Sequence, residues 1–171
     1  MAAIRVDNQY LLDHAAIHDL HLRYFQGLDS GRREQVVACF TEDVQAVYHG
    51  RPVANGIDAL MADSLDPFYC RLETGHTRIA THFMGNFKLE RLEGDLAETE
   101  IYAIAFGVRA LEPRDEVAMM SLRYMDRLRR TKDGWKICMR VQSMDWSCQP
   151  PAATTLSMAQ RVMGLPAGDF P

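Results

Sequence analysis

Apolar residues recur every three or four positions in the first part of the chain, which is the spacing of an amphipathic helix. The pattern predicts a first helix over residues 9–28, and Ser30 and Gly31 should break it. The segment RREQVVACF then predicts a second, short helix over residues 32–40.

The next segment predicts a short strand over residues 44–48 and a turn at residues 49–50. Pro52 in the return strand has no backbone N–H to donate, so that strand should lie at a sheet edge. A third helix is expected over residues 55–65, and Pro67 should close it.

From residue 76 onward the period changes to two, which is typical of strands. Short turns separate four long strands, predicted over residues 76–90, 96–110, 116–131 and 135–146. Helices followed by hairpin-connected strands indicate an α+β fold with an antiparallel sheet. A strongly curled sheet around the N-terminal helices would form a cone with an internal pocket.

Two regions are expected from this pattern. Residues 1–147 should form the α+β cone domain, and residues 148–171 a C-terminal tail. The tail begins after the last strand with two prolines, and residues 154–163 could form a short apolar helix. We expect that helix to cover the mouth of the cone.

Composition narrows the class of protein. A chain of 171 residues with 47% hydrophobic and 25% charged residues is typical of one globular domain. The net charge of -4 argues against a nucleic-acid partner. No apolar run approaches the roughly 18 residues of a membrane span. The first ten residues, MAAIRVDNQY, lack a signal core, so a cytoplasmic location is expected.

Neither the cysteines nor the histidines of the first helix indicate a metal site. The four cysteines contain no CxxC pair, which favours reduced thiols. His14, His18 and His21 follow helical spacing, but they lack the HExxH motif, and we interpret them as a solvated or core-edge face. No cofactor or metal is expected.

Candidate catalytic side chains begin where the first helix ends. Asp29 is either an ordinary turn residue before Ser30-Gly31 or a carboxylate that projects into the pocket. Tyr24, five residues earlier, is either core or pocket lining by its spacing.

His82 lies inside the first long strand, where alternation places it on one face with Met84 and Asn86. That mixed face suits a pocket wall, although a hydrogen-bonded core histidine fits equally well. Arg140 lies in the last strand among apolar neighbours, so it either reaches an edge or pairs with a buried anion. If Asp29, His82 and Arg140 meet in one cavity, they would form a carboxylate-supported histidine base beside a cation.

Three stretches resemble the SnoaL-like superfamily of cone-shaped α+β domains: IHDLHLRYFQGLDSGRREQVVACFTEDVQAVYHG, HFMGN and YMDRLRRTKDGWKICMR. The resemblance covers about residues 10–146. That superfamily includes scytalone dehydratase, bile acid 7α-dehydratase, hexachlorocyclohexane dehydrochlorinase and ketosteroid isomerase. It hosts lyases, isomerases, cyclases and inert subunits, so the resemblance specifies the fold better than the substrate.

The resemblance to the dehydratase branch implies a role for four residues. Asp29 and His82 match its Asp–His pair, and Tyr24 matches a tyrosine that orients a water or a leaving oxygen. Arg140 matches an arginine found after the Trp-Lys-Ile signature of the dehydrochlorinase.

The resemblance also suggests pocket-lining side chains. Tyr48 and Asn86 are weaker matches to polar positions that line such pockets. Met84 lies with Asn86 on the His82 face of the strand. Residues 96–110 lack the second histidine of scytalone dehydratase and carry Tyr102 in that region instead, so scytalone is not expected as substrate.

The favoured function is therefore a cofactor-independent dehydratase-like lyase that acts on a small hydrophobic cyclic, polyketide-like or steroid-like substrate. The alternatives are an isomerase or cyclase that uses the same pocket, and a non-catalytic small subunit of a ring-hydroxylating dioxygenase. A homo-oligomer is expected, because the strand over residues 116–131 carries apolar residues on both faces. The resemblance to the dehydratase branch implies a trimer before a dimer.

Overall fold

Helices occupy the first half of the chain and long strands the second, as the sequence predicts. The computed structural model describes residues 6–48, 50–53, 55–111 and 115–149. The elements are α1 (Asn8–Asp29), α2 (Arg33–Val37), β1 (Phe40–Tyr48), β2 (Arg51–Pro52), α3 (Ile57–Leu60), a π-helical turn (Met61–Leu65), α4 (Asp66–Glu73), β3 (Thr77–Glu93), β4 (Leu96–Arg109), β5 (Glu116–Thr131) and β6 (Gly134–Cys148).

One six-stranded sheet has the order β2-β1-β6-β5-β4-β3. The four long strands pair antiparallel through successive connections, and Pro52 lies in the edge strand β2, so both expectations are confirmed. Strand β1, however, pairs parallel with β6, which makes the sheet mixed. The α+β class is confirmed, with the helices packed against one face of the sheet.

Two element boundaries differ from the prediction. The second helix ends at Val37, because the chain turns into β1 at Phe40 rather than at residue 44. Pro67 does not close the third helix, since α4 continues to Glu73. The preceding π-helical turn lets Pro67 occupy the first turn of α4, where a missing N–H costs no helical hydrogen bond.

A buried carboxylate anchors helix α1 to the sheet. Asp13 accepts a hydrogen bond from Trp135 Nε1 at 3.1 Å and another from Arg130 Nη2 at 2.7 Å. The Arg130 guanidinium also lies over the Trp135 ring, 4.4 Å from its centroid. These contacts fix the start of α1 against β5 and β6, and its apolar face then buries Ile17, Leu20, Tyr24, Phe25 and Leu28.

The last strand ends at Cys148, and the division into a cone domain over residues 1–147 and a tail stays a prediction. The tail prediction, including the helix over residues 154–163 and its covering role, lies outside the described residues and stays a prediction. Among the described helices, none has the length and apolar character needed to cross a membrane.

Candidate active site

A cavity of about 380 Å³ lies between the inner face of the sheet and the helices. Helix α1, the π-helical turn and α4 form one wall, and strands β3, β4, β5 and β6 form the other. Its lining combines apolar side chains with phenol, imidazole, amide and guanidinium groups, and small-molecule sites contain both kinds. The lining includes Tyr24, Tyr48, Phe68, His82, Ala105, Met120, Leu122, Tyr124 and Gln142.

Asp29 and His82 meet at this cavity. The Asp29 carboxylate, at the end of α1, lies 2.7 Å from Nδ1 of His82 and accepts the His82 backbone N–H at 2.9 and 3.1 Å. Both side chains are about nine-tenths buried. Because a carboxylate only accepts, this contact places the ring hydrogen on Nδ1 and leaves Nε2 as an acceptor.

Aromatic rings fix the orientation of the His82 imidazole. Phe25 stacks on it with a ring-centroid distance of 5.6 Å, and Phe68 meets it edge-on at 6.1 Å. With Asp29 holding one nitrogen and two rings holding the faces, the imidazole has little rotational freedom. Such preorganisation is what a general base requires.

Three tyrosines supply phenols to the same cavity. The Tyr24 and Tyr48 hydroxyls lie 3.3 Å apart, and Tyr124 on strand β5 supplies the third phenol. Burial raises the pKa of Tyr24 well above its usual value and raises the pKa of Tyr124 as well. Both phenols therefore stay protonated and can donate hydrogen bonds to a bound oxygen.

Arg140 does not line the cavity, which corrects the expectation that it touches the substrate. Its guanidinium is fully buried and donates to Asp126 from Nε at 2.8 Å and from Nη2 at 2.6 Å. The same guanidinium lies over the rings of Tyr24 at 4.1 Å and Tyr124 at 4.8 Å. Pairing with a buried anion was the alternative for Arg140, and it is the one that the structure shows.

The Asp126 carboxylate also neighbours His21, whose Nδ1 lies 3.6 Å away. Of the expected solvated or core-edge face, His21 belongs to the core, because it is fully buried. Its Nε2 lies 3.3 Å from the Thr99 hydroxyl. Burial lowers the pKa of His21 to about 4, and the Arg140 charge adds to that effect while Asp126 opposes it. His21 is therefore neutral in the folded protein.

Comparison with known proteins gives the family. Residues 9–141 match the SnoaL-like domain. This chain belongs to that family. A 131-residue stretch is 28% identical to the uncharacterized protein Rv2910c of Mycobacterium tuberculosis, covering 77% of this chain and 84% of the relative.

Solved structures resemble this SnoaL-like chain in fold. The hexachlorocyclohexane dehydrochlorinase LinA-type3 from Novosphingobium barchaimii superposes with a TM-score of 0.71 at 17% identity, over 88% of this chain and 99% of that one. A protein proposed to be a scytalone dehydratase, from Novosphingobium aromaticivorans, gives a TM-score of 0.66 at 21% identity, over 81% and 87%. These likenesses support the NTF2-like cone fold.

Two residues expected beside His82 in the SnoaL-like pocket do not line the cavity. Strand β3 has an irregularity between Met84 and Phe87, so the alternation slips there and Asn86 becomes exposed. Met84 keeps the inward face but packs against the core. The simple period-two pattern of the sequence could not show this bulge.

Tyr102 was also expected in the pocket, but it lies on the outer face of the sheet, 41% exposed. Its neighbours on β4, Ile101 and Ala103, are the buried ones. On the outer face Tyr102 contacts the Arg123 guanidinium, which lies 5.7 Å from its ring centroid.

Sequence reasoning missed part of the lining. Tyr124 and Gln142 face each other across β5 and β6 and both reach the cavity. Gln142 lies in phase with Arg140 along the strand, and that phase is a sequence signal for an inward side chain. Tyr124 has charged sequence neighbours, so no comparable signal marks it. A second group of missed residues, toward the strand ends, comprises Arg71, His76, Thr77 and Arg109.

No group of three or more His, Cys, Asp or Glu side chains is placed to hold a metal ion within the part of the chain that the structure describes. His14 and His18, which follow helical spacing with His21, instead pack edge-on against Phe87.

Replacing Asp126 with asparagine should destabilise the protein by about 3–5 kcal/mol, because it leaves the buried Arg140 charge without its partner. The matched control is Glu98→Gln, which removes an exposed partner of the adjacent Arg127 and should cost about 1 kcal/mol or less. Urea unfolding of both variants measures the difference. Equal losses of unfolding free energy in the two variants would contradict a larger contribution from the buried Arg140–Asp126 pair.

Stability should fall as the pH drops from 6.5 toward 4, because the unfolded chain protonates His21 and the folded protein does not. Above pH 6.5 this loss of unfolding free energy is absent. Between pH 6.5 and pH 4 it grows to on the order of 3 kcal/mol. Unfolding free energies of the wild type and His21→Gln across this range measure it. Parallel curves for the two proteins would contradict this origin of the pH dependence.

Proposed function

We propose that this SnoaL-like protein is a lyase of the dehydratase type, which removes water from a small hydrophobic cyclic, polyketide-like or steroid-like substrate without a cofactor. The observation that carries the proposal is the Asp29–His82 pair at the wall of the cavity. Elimination is also the reaction in the name of the dehydrochlorinase with a similar fold.

In the proposed reaction, Nε2 of His82 takes a proton from the carbon next to an activating carbonyl group. The electron pair of that C–H bond forms the new double bond, and the bond to the hydroxyl group on the adjacent carbon breaks. Asp29 stabilises the imidazolium that results and keeps its orientation. A positioned base of this kind contributes on the order of 10²–10⁴-fold to the rate.

The departing hydroxide needs a proton, and the buried phenols can supply it. Tyr24 and Tyr48 form a hydrogen-bonded pair, and Tyr124, whose ring packs against Tyr24, adds a third hydroxyl. A phenol gives its proton to the hydroxide, and the His82 imidazolium then returns one to the phenolate. The sum is loss of one water molecule, with every side chain restored.

The test uses cyclic β-hydroxy ketones in heavy water. Absorbance of the conjugated product measures elimination, and proton NMR measures deuterium exchange at the carbon next to the carbonyl. His82→Gln and Asp29→Asn should each reduce both signals by at least roughly 10²-fold. Glu98→Gln, a carboxylate-to-amide change outside the cavity lining, is the matched control and should retain most activity.

The two signals separate elimination from its alternatives. Exchange without elimination would indicate the isomerase or cyclase chemistry that the same base can perform. Wild-type rates in a folded His82→Gln protein would contradict the general-base role, and absence of exchange on every ketone that binds would contradict the proposed reaction.

We also propose that the protein forms a homo-oligomer, with a trimer favoured. Phe83, Ile104, Ser121 and Trp146 are register neighbours across β3, β4, β5 and β6 on the outer face of the sheet. Phe83 is 67% exposed and Trp146 47% exposed. Large exposed apolar side chains at both ends of such a row, with Ile104 between them, are typical of an interface between subunits.

Light scattering at micromolar concentration should therefore give a multiple of the 19.4 kDa chain mass. The double variant Phe83→Ser with Trp146→Ser should lower that mass toward one chain without loss of secondary structure. Leu12→Ser, which removes a comparably exposed apolar side chain from α1, is the control and should leave the mass unchanged. A monomer mass for the wild type would overturn the proposal.

A further inference from the structure

The cavity has a second end whose chemistry differs from that of the His82 end. Arg71, His76 and Arg109 line it together, near the start of β3 and the end of β4. Among the described residues, no Asp or Glu belongs to the cavity lining. At this end the cavity meets two guanidinium groups, and none of its described lining residues is a carboxylate.

Local structure explains how Arg71 reaches the cavity. Ser64, Phe68 and Arg71 follow one another at spacings of four and three residues, so they share one face of the π-helical turn and α4. All three line the cavity. Arg71 is therefore part of the same helical stripe that packs against His82 through Phe68.

Arg109 approaches from the sheet. It pairs in register with Thr77 on β3, and the next residue, Ala110, donates its backbone N–H to the His76 carbonyl at 3.0 Å. This contact ties the segment that carries His76 to the end of β4 that carries Arg109. Both positions therefore belong to one edge of the cavity.

The two arginines differ from most others in the protein. Most described arginines form an ion pair with a carboxylate, such as Arg33 with Asp66 and Arg78 with Asp115. Arg71 and Arg109 form none within the described residues. Glu116 is the register neighbour of Arg109 on β5, yet the two side chains form no ion pair and Glu116 does not line the cavity.

The strand register gives the span between the two ends. Thr77 lies five positions before His82 on β3, and the pairing with β4 is irregular between Thr77 and Ile79, so at about 3.3 Å per residue the backbone span is at most roughly 16 Å. A ligand that reaches both ends is thus longer than one ring. Its part beside His82 contacts apolar and phenolic side chains, and its part beside Arg71 and Arg109 meets two guanidinium groups.

We infer that the ligand of this cavity is an amphiphile: a hydrophobic cyclic body at the His82 end and an anionic group, of carboxylate, sulfonate or phosphate chemistry, at Arg71 and Arg109. Guanidinium groups bind such anions by charge-assisted and bidentate hydrogen bonds. This inference rests on the proposed function in that it names the substrate class of the same site. It does not depend on which bond the enzyme breaks.

A pair of fluorescent probes tests the inference without turnover. 8-Anilino-1-naphthalenesulfonate carries an anionic group, and N-phenyl-1-naphthylamine has the same rings without it. The wild type should bind the sulfonate more tightly, and Arg71→Gln and Arg109→Gln should each weaken sulfonate binding about five-fold with little effect on the neutral probe. About 1 M salt should reduce the same preference, because it screens exposed charges.

Two further variants locate the binding. Lys132→Gln removes one positive charge from the turn at the opposite end of β5 and should leave both affinities unchanged. Met120→Trp fills part of the cavity and should weaken both probes. The inference is overturned if Lys132→Gln acts like the arginine variants, if neither arginine variant affects the sulfonate, or if sulfonate binding survives Met120→Trp.

The outcome is separable from that of the proposed reaction. His82→Gln should leave the sulfonate preference intact while it abolishes exchange and elimination. If His82→Gln retains activity and the arginine variants lose the preference, the reaction proposal fails and this inference stands. If activity depends on His82 but the probes show no anion preference, the inference fails alone.

Discussion

The buried pair of Arg140 and Asp126 is the interaction on which the interior of this protein depends. Burial alone would lower the pKa of Arg140, but the Asp126 carboxylate, together with Tyr24 and Tyr48, outweighs that effect and holds the pKa well above its usual value. The charge is retained inside the core, and aromatic rings surround it. Its position joins β5 and β6 to the rings of Tyr24 on α1 and Phe40 on β1.

This pair acts on the cavity without entering it. Tyr24 and Tyr124 present their rings to the guanidinium and line the cavity as well. The positive charge partly offsets the effect of burial on the pKa of both phenols. Arg140 therefore acts on the cavity through the rings of Tyr24 and Tyr124. The ring of Tyr124 packs against Phe25, and Phe25 in turn stacks on His82 of the Asp29–His82 pair.

The sequence predicts local periodicity well and long-range pairing poorly. Helix α1 and the four long strands follow from spacing, since each of those patterns spans many residues. The bulge after Met84 and the π-helical turn do not, because a single residue changes the phase and no composition signal marks it. The resemblance to the SnoaL-like superfamily predicts the Asp29–His82 pair. The partners of Arg140 and His21 depend on contacts across the sheet, which periodicity cannot show.

The π-helical turn at Met61–Leu65 has a consequence for how this site can change. A π turn holds one residue more than an α-helical turn over nearly the same rotation, so the helix before it and the helix after it keep their phase. Loss of one residue from this turn would convert it to a regular α-helical turn and leave Phe68 facing His82. Loss of one residue between Phe68 and Arg71 has no such buffer, because an α-helix advances about 100° per residue, and Arg71 would rotate out of the cavity wall. Length changes before and after Phe68 thus have different consequences for the two ends of the pocket.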